Sequence, residues 1–165
     1  MNDTALPDDP DSVQATETLA GPFQVEVVAG GLTLTADEPV QAGGLGSGPT
    51  PYDLLASALA ACTVMTVRLY ADRKGWPLQR ASVRALHARA ALTGKDRFAR
   101  EITLEGPLSP EQHQRLLEIA NRCPVHLTLE RGSDIVTVLA HPPAPAPQGG
   151  SHAGHMRDML EACED

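Results

Sequence analysis

Residues 50–73, TPYDLLASALAACTVMTVRLYADR, decide the fold of this chain because they predict one long helix of mostly small and apolar residues. Pro51 fits the first helical position, where a backbone N–H is not needed, and Asp53 lies near the positive end of the helix dipole. Apolar residues recur at three- and four-residue steps over a wide arc, which indicates a helix that is buried on most sides. The centre of this helix carries a cysteine, Cys62.

Short segments with alternating apolar residues on both sides of the helix predict β-strands, and the double glycine at positions 30 and 31 predicts a hairpin turn. Ser109, Pro110 and Gln112 form the pattern of a capped helix start, and a further short helix or turn is predicted at 125–129. The predicted strands are residues 23–28, 32–36, 80–92, 98–105 and 134–140. Because strands and helices cluster rather than alternate, the predicted fold class is α+β with antiparallel sheets and a long central helix.

Composition divides the chain into three parts. Residues 1–20 are acidic and poor in large apolar residues, so we expect a disordered leader. Residues 21–140 form the predicted domain. Residues 141–165 are expected to be a Pro/Gly linker and a flexible tail with at most a short amphipathic helix. The glycine-rich loop at 43–49 is interpreted as a close-packed entry to the helix rather than a phosphate site, because neighbouring prolines remove amide donors.

Charge and aromatic content exclude some classes of partner. The net charge is −8 and aromatic residues make up 3% of the chain, so no nucleic-acid partner is expected. Asp53 and several hydroxyl residues interrupt the apolar helix, so we expect no membrane span and place the protein in a cytoplasm. Three cysteines do not make a secreted disulfide framework. The long apolar helix exceeds what these strands need to cover, which favours a homodimer.

Two cysteines are the candidate chemical groups. Cys62 alone is also compatible with a small hydrophobe in an alanine-rich helix. Cys123 follows Arg122 at the end of a predicted helix and precedes His126 by three residues. A neighbouring positive charge lowers a thiol pKa and a helix C-terminus raises it, so the sign at Cys123 stays open. No second ligand pair lies at metal-site spacing in the domain, so neither a metal nor a cofactor is predicted.

The run GGLGSGPTPYDLLASALAACTVMTVRLYADRKGWPL and the later LEIANRCPVH resemble the OsmC/Ohr family of osmotically induced and organic-hydroperoxide-resistance proteins, across residues 22–140. The resemblance implies an intertwined α+β homodimer with peroxiredoxin-like chemistry in defence against oxidative stress. It implies that Cys62 is the peroxidatic cysteine and Cys123 the resolving one. An organic hydroperoxide would oxidise Cys62 to a sulfenic acid, a Cys62–Cys123 disulfide would form, and an external dithiol would reduce it.

The chain departs from the family pattern at two positions. The family's activating arginine lies in the N-terminal strand region, whereas the first arginine here is Arg68. Its helix glutamate corresponds to Tyr52, with Asp53 adjacent. Arg122 and His126 are the candidate replacements for the missing cation.

Three functions therefore stay open at this stage. A thiol peroxidase would need a lowered pKa at Cys62. A non-catalytic protein would bind a small apolar ligand, with the cysteines as packing residues. A redox sensor would form only the disulfide. The tail residues His152, His155 and Cys163 are assigned to the flexible tail.

Overall fold

A computed structural model describes residues 9, 11–91, 93–139 and 153–164, and in them the predicted α+β class with antiparallel sheets and a long helix is confirmed. The strands are β1 (Gln14–Glu17), β2 (Val25–Ala29), β3 (Leu32–Ala36), β4 (Arg80–Ala88) and β5 (Arg97–Glu105). The helices are α1 (Pro51–Arg73), α2 (Pro110–Ala120), α3 (Pro124–Arg131) and α4 (Ala153–Ala162). These elements divide into two compact units. The first contains β1–β3 and residues 134–139, and the second contains α1 from Tyr52 onward, β4, β5, α2, α3 and α4 from Gly154 onward.

The first unit is built on a three-stranded antiparallel sheet in the order β1-β2-β3. Gly30 and Gly31 form the predicted turn between β2 and β3, with φ values of 57° and 75° that favour glycine. The prediction of a disordered leader over residues 1–20 is wrong for residues 14–17, which are β1 and pair with β2. Polar composition does not prevent this pairing, because an edge strand needs only its backbone groups. Residues 1–8 and 10 lie outside the described part of the chain.

The glycine-rich loop is close-packed, as predicted, and is organised around the buried carboxylate of Asp37. Its oxygens accept hydrogen bonds from the amides of Glu38 (2.8 Å), Leu45 (3.0 Å) and Ser47 (3.1 Å), and from the Ser47 hydroxyl (2.8 Å). A side chain at Gly44 would collide with the Glu38 carbonyl oxygen. Burial acts to raise the pKa of Asp37, but these hydrogen bonds outweigh it and hold the pKa below its ordinary value.

The predicted strand over residues 134–140 is wrong for residues 134–139, which form no strand. Ile135 and Val136 are 89% and 77% exposed. Their β-branched side chains suit a strand, but a strand also needs a free edge to pair with, and no described strand pairs with this segment. Residue 140 and the predicted linker over 141–150 lie outside the described residues.

Helix α1 confirms the predicted long helix but is buried on one face only. The expectation of burial on most sides is wrong within the chain, since Leu55 and Met65 are 44% and 50% exposed and Ala58 and Ala61 are exposed between them. By length and composition alone, α1 is the one helix of the described residues that could cross a membrane. A buried core helix passes the same test, and 44% of this stretch is buried, so the indication is weak.

The second unit packs α1 and α2 together with the β4–β5 hairpin. These strands pair antiparallel with Arg80 opposite Glu105. Helix α2 begins with the predicted capping box, in which the Gln112 amide donates to the Ser109 hydroxyl (3.2 Å) and the Ser109 amide donates to the Gln112 side chain (2.9 Å). The core consists of Val67, Tyr70, Ala71, Leu78, Leu116, Ile119, Ala120 and Cys163.

Helix α4 belongs to this unit, so the prediction of a flexible tail is wrong for the described residues of the C-terminus. The amphipathic helix expected there is present, and its Met159 and neighbouring Cys163 are each 4% exposed. Arg73 and Arg122 donate hydrogen bonds of 3.1 and 2.9 Å to carbonyl groups at the C-terminal end of this segment. Guanidinium groups at a helix C-terminus are favoured by the helix dipole.

Candidate active site

The two candidate cysteines come together inside the second unit. Cys62 lies in the middle of α1, and Cys123 is the N-cap residue of α3. They are 2% and 0% exposed, and both are free thiols. Each thiol is the hydrogen-bond partner of the other. The apolar residues packed around them are Leu59, Phe98, Val125 and Leu129.

Three polar groups surround the sulfur of Cys123. The His126 amide donates to it at 3.4 Å, the Thr63 hydroxyl lies 3.7 Å away, and Nη1 of Arg100 lies 3.8 Å away. Sequence analysis placed Cys123 at the end of one helix, but Pro124 starts α3 directly after it. The sulfur therefore lies at a helix N-terminus, where the dipole favours negative charge.

Arg100, on β5, contacts the thiol pair, and sequence analysis did not select it. Its Nη1 donates to the Thr63 hydroxyl (2.7 Å), and its Nη2 donates to the Ala120 carbonyl and the Asn121 side chain (both 2.8 Å). Nη2 also lies 3.3 Å from Nδ1 of His126. These bonds fix the guanidinium beside the thiol pair.

A sequence signal for Arg100 exists in the alternation of β5. Phe98, Ile102 and Leu104 point inward on this strand, and Arg100 occupies the same phase. A charged residue at an inward position needs partners, so it marks a candidate site. The family pattern directed attention to the N-terminal strands instead, where no arginine occurs.

The two thiols differ in their electrostatic surroundings, which lower the pKa of Cys123 and raise that of Cys62. The hydrogen bond from Cys62 lowers the pKa of Cys123, as do the His126 amide, Thr63 and Arg100, and together they outweigh burial. The hydrogen bond to Cys123, burial and the charge on Cys123 raise the pKa of Cys62. The lowered pKa at Cys62 that a thiol peroxidase would need is therefore not present in the reduced pair.

Cys62 has two further polar neighbours. The Val125 amide donates to its sulfur at 3.5 Å, and Nε2 of His155 on α4 lies 3.3 Å from the same atom. Cys163, in contrast, donates to the Thr66 carbonyl at 3.6 Å, and burial raises its pKa, so it is a packing residue. Across residues 11–91, 93–139 and 153–164, no three His, Cys, Asp or Glu side chains are placed to hold a metal ion.

The other predicted supporting residues lie in different surroundings. The Tyr52 ring stacks on His87, with centroids 4.0 Å apart and planes 3° apart. Asp53 is exposed in the first turn of α1. Arg122 donates to a carbonyl beyond the end of α4. Of the predicted supporting residues, His126 is the one that the structure brings to the thiols, through its amide and its ring contact with Arg100.

A cleft of about 340 Å³ adjoins the thiol pair. Leu59, Phe98 and Leu129 belong both to its wall and to the apolar cluster around the cysteines. Arg100 and His126 also line the cleft and contact Cys123. The cleft therefore combines three apolar residues with a larger number of polar and charged ones, so it can accept a small ligand that has both apolar and polar parts. Its remaining lining residues are Lys95, Asp96, Asn121 and Glu130.

Comparison with known families assigns the chain to one of them. The sequence model of a family described as "OsmC-like protein" matches residues 44–138, more than half of the chain. The chain therefore belongs to the OsmC-like family. No curated protein sequence gives a significant match.

Solved structures of the same fold come from several bacteria. One is an osmotic-stress-induced and detoxification response protein from Psychrobacter arcticus, with 19% identity, a TM-score of 0.63 and coverage of 78% of this chain and 91% of that one. An OsmC-like protein from Mycoplasma pneumoniae has 21% identity, a TM-score of 0.62 and coverage of 74% and 89%. An organic hydroperoxide resistance protein, OsmC, from Legionella pneumophila has 24% identity, a TM-score of 0.58 and coverage of 72% and 87%. At these identities the similarity shows the fold.

Proposed function

We propose that this protein is a thiol-dependent peroxidase that reduces small organic hydroperoxides in defence against oxidative stress. The observation that carries the proposal is the pairing of two reduced thiols, Cys62 and Cys123, next to a cleft that both apolar and polar residues line. Membership of the OsmC-like family supports it. The organic hydroperoxide resistance name of the Legionella protein agrees with the same chemistry.

The proposed reaction uses each sulfur once. Cys62, the peroxidatic cysteine by resemblance, attacks the terminal oxygen of the hydroperoxide, so that an S–O bond forms, the O–O bond breaks and the alkoxide leaves as an alcohol after protonation. Cys123 then attacks the sulfenyl sulfur of Cys62. The S–S bond forms, the S–O bond breaks and hydroxide leaves as water. An external dithiol returns two electrons by thiol–disulfide exchange.

Arg100 fits the resolving half of this reaction. The thiolate, not the thiol, is the nucleophile in disulfide formation. Arg100 and the His126 amide, which both donate to the Cys123 sulfur, stabilise that form. Arg100 on β5 thus supplies the cation that the N-terminal region lacks, and it acts on Cys123 and not on Cys62.

The proposed partner is a second copy of the chain. The exposed stripe of α1, which we define as Leu55, Ala58, Ala61 and Met65, is apolar and continuous along one helix face. A homodimer that packs these stripes together would remove them from water. We place the reaction in the cytoplasm, which keeps thiols reduced, and we propose no nucleic-acid or membrane partner.

The test is consumption of cumene hydroperoxide in the presence of an excess of dithiol. The parent protein should turn over, and Cys62→Ser should reduce turnover to background. Cys123→Ser should allow one oxidation of Cys62, trapped by a sulfenic-acid reagent, without a disulfide. Cys163→Ser is the matched control and should retain the parent rate. Equally slow consumption by the parent and by Cys62→Ser would overturn the proposal.

One observation favours a second candidate, a non-catalytic ligand-binding or redox-sensing protein. Both thiols are almost completely buried within the chain, so a substrate needs an opening to reach them. A ligand that co-purifies in native mass spectrometry, with thiols inert to peroxide, would support the ligand-binding protein. Disulfide formation with oxidant, combined with no sustained turnover in the presence of dithiol, would support the sensor.

A further inference from the structure

We propose that His155, on the C-terminal helix, is the base that removes the thiol proton of Cys62 and returns a proton to the leaving alkoxide. The second step of this inference, the return of a proton to the alkoxide, rests on the proposed function. The first step, the removal of the proton from the Cys62 thiol, needs no substrate. The contact that carries it is the 3.3 Å distance between Nε2 of His155 and Sγ of Cys62.

Helix α4 is held firmly enough to fix this contact. Met159 and Cys163 are each 4% exposed and anchor one face of the segment in the core of the second unit. Arg73 and Arg122 bind carbonyl groups at its far end. Packing and charge thus act together on a helix whose first turn carries His155. The imidazole lies against Cys62 because the whole helix is docked.

Cys62 needs such a base more than Cys123 does. Arg100, Thr63 and a backbone amide already stabilise the thiolate of Cys123. The neighbouring Cys123 and burial both raise the pKa of Cys62, which favours its protonated form. The attacking sulfur therefore starts in its unreactive form, and imidazole is the side chain best suited to exchange a proton near neutral pH.

The proton balance of the attack is complete with His155 alone. Nε2 of His155 takes the proton of the Cys62 thiol, and the thiolate attacks the terminal peroxide oxygen. The S–O bond forms and the O–O bond breaks, and the alkoxide takes the proton from the imidazolium. The products are a sulfenic acid, an alcohol and neutral imidazole, so His155 acts first as a general base and then as a general acid.

His155 lies outside the part of the chain that matches the family. The OsmC-like match ends at residue 138, and His155 lies beyond it. His155 contacts Cys62 on α1, and Cys62 is paired with Cys123, the N-cap residue of α3. The Cys123 sulfur in turn contacts Arg100 on β5, whose guanidinium lies beside the His126 ring on α3. On α4 itself, Asp158 and Glu161 line a different cleft together with residues of α3.

The experiment isolates Cys62 in a Cys123→Ser background and follows its alkylation by iodoacetamide from pH 5.5 to 9.5. His155→Gln keeps a polar side chain of similar size but cannot act as the base. We expect alkylation near pH 7 to slow by at least about tenfold, the effect of a one-unit rise in thiol pKa, and the pH midpoint to move upward. Added imidazole should restore the rate in His155→Ala. His113→Gln is the matched control, because His113 lies on α2 and bonds the Ser109 carbonyl.

An unchanged alkylation profile in folded His155→Gln would overturn the inference. If that variant does not fold, the inference is tested by an NMR titration of the His155 ring. The titration compares the Cys123→Ser protein with the double variant that also carries Cys62→Ser. A titration that shifts when Cys62 is removed supports the inference, and one that does not shift overturns it. A protein without peroxidase turnover, in which His155→Gln still slows alkylation, would reject the proposed function and retain the proton transfer.

Discussion

Arg100 is one of several groups that lower the pKa of Cys123 in the buried thiol pair, after the hydrogen bonds from Cys62, His126 and Thr63. Two adjacent thiols in an apolar cluster would both stay protonated, because burial penalises the charged form. A guanidinium with fixed hydrogen bonds to Thr63, Ala120 and Asn121 changes this balance for the nearer sulfur, Cys123. The pKa of Cys123 is thereby lowered, whereas that of Cys62 is raised.

The first prediction concerns Arg100→Gln. Loss of the positive charge should raise the pKa of Cys123, because one of the groups that lower it is removed. Alkylation of Cys123 near pH 7, mapped by mass spectrometry, should slow by about three- to tenfold, since a tenfold change corresponds to one pKa unit. Arg97→Gln, at an exposed position of the same strand, is the control. An unchanged pH profile in Arg100→Gln would show that the guanidinium does not stabilise the thiolate.

Asp37 supports a second prediction, about pH. Its pKa lies below the ordinary value of 3.8, so its contribution to stability is present above about that pH and is lost as the pH falls through the lower folded-state value. Asp37→Asn should lower the melting temperature at pH 7, and the gap to the parent should close under acid conditions. Glu26→Gln, at an exposed position of β2, should show no such gap. A gap that persists at pH 2 would contradict this explanation.

At the scale of elements, sequence signals succeed where they are local. Pro51 and the apolar periodicity define α1, Ser109 and Gln112 define the start of α2, and the double glycine defines the β2–β3 turn. Each of these signals states a backbone requirement that one short segment satisfies by itself. Such elements could be predicted from the sequence within a few residues.

Elements that depend on a neighbour could not be predicted in this way. β1 exists because β2 offers an edge, although its own residues are polar. Residues 134–139 have the composition of a strand, and no described strand pairs with them. α4 has a weak apolar face, and it is the docking of Met159 and Cys163 that fixes it. In each case the deciding partner is distant in sequence.

The third prediction tests the capping box of α2. Ser109→Ala removes the hydroxyl that accepts from the Gln112 amide, so it should lower the free energy of unfolding by ~0.5–2 kcal/mol. Urea unfolding followed by circular dichroism measures the change. Ser82→Ala, at an exposed position of β4, is the control and should be nearly neutral. Equal stability of the two variants would mean that the cap does not stabilise α2 in the folded protein.

At the scale of the whole molecule, the thiol site is formed by groups from elements that are distant in sequence. α1, β5, the end of α2, α3 and α4 each contribute a group to it, namely Cys62, Arg100, Asn121, Cys123 and His155. The two cysteines could be predicted as a pair from the family resemblance. Arg100 and His155 could not, because their relevance arises only when strand and helix are packed against the same cluster.

The last prediction addresses the oligomer. The stripe of Leu55, Ala58, Ala61 and Met65 leaves apolar surface on α1 in the single chain, and a pair of such stripes would bury it. Sedimentation velocity of the parent at micromolar concentration should give twice the chain mass. Met65→Glu should give the mass of one chain, because a carboxylate buried without a partner costs several kcal/mol in such an interface. Met156→Glu is the matched control, since Met65 and Met156 are both 50% exposed methionines on helices. If the parent sediments as one chain, or if both variants stay dimeric, then α1 does not form the interface between copies.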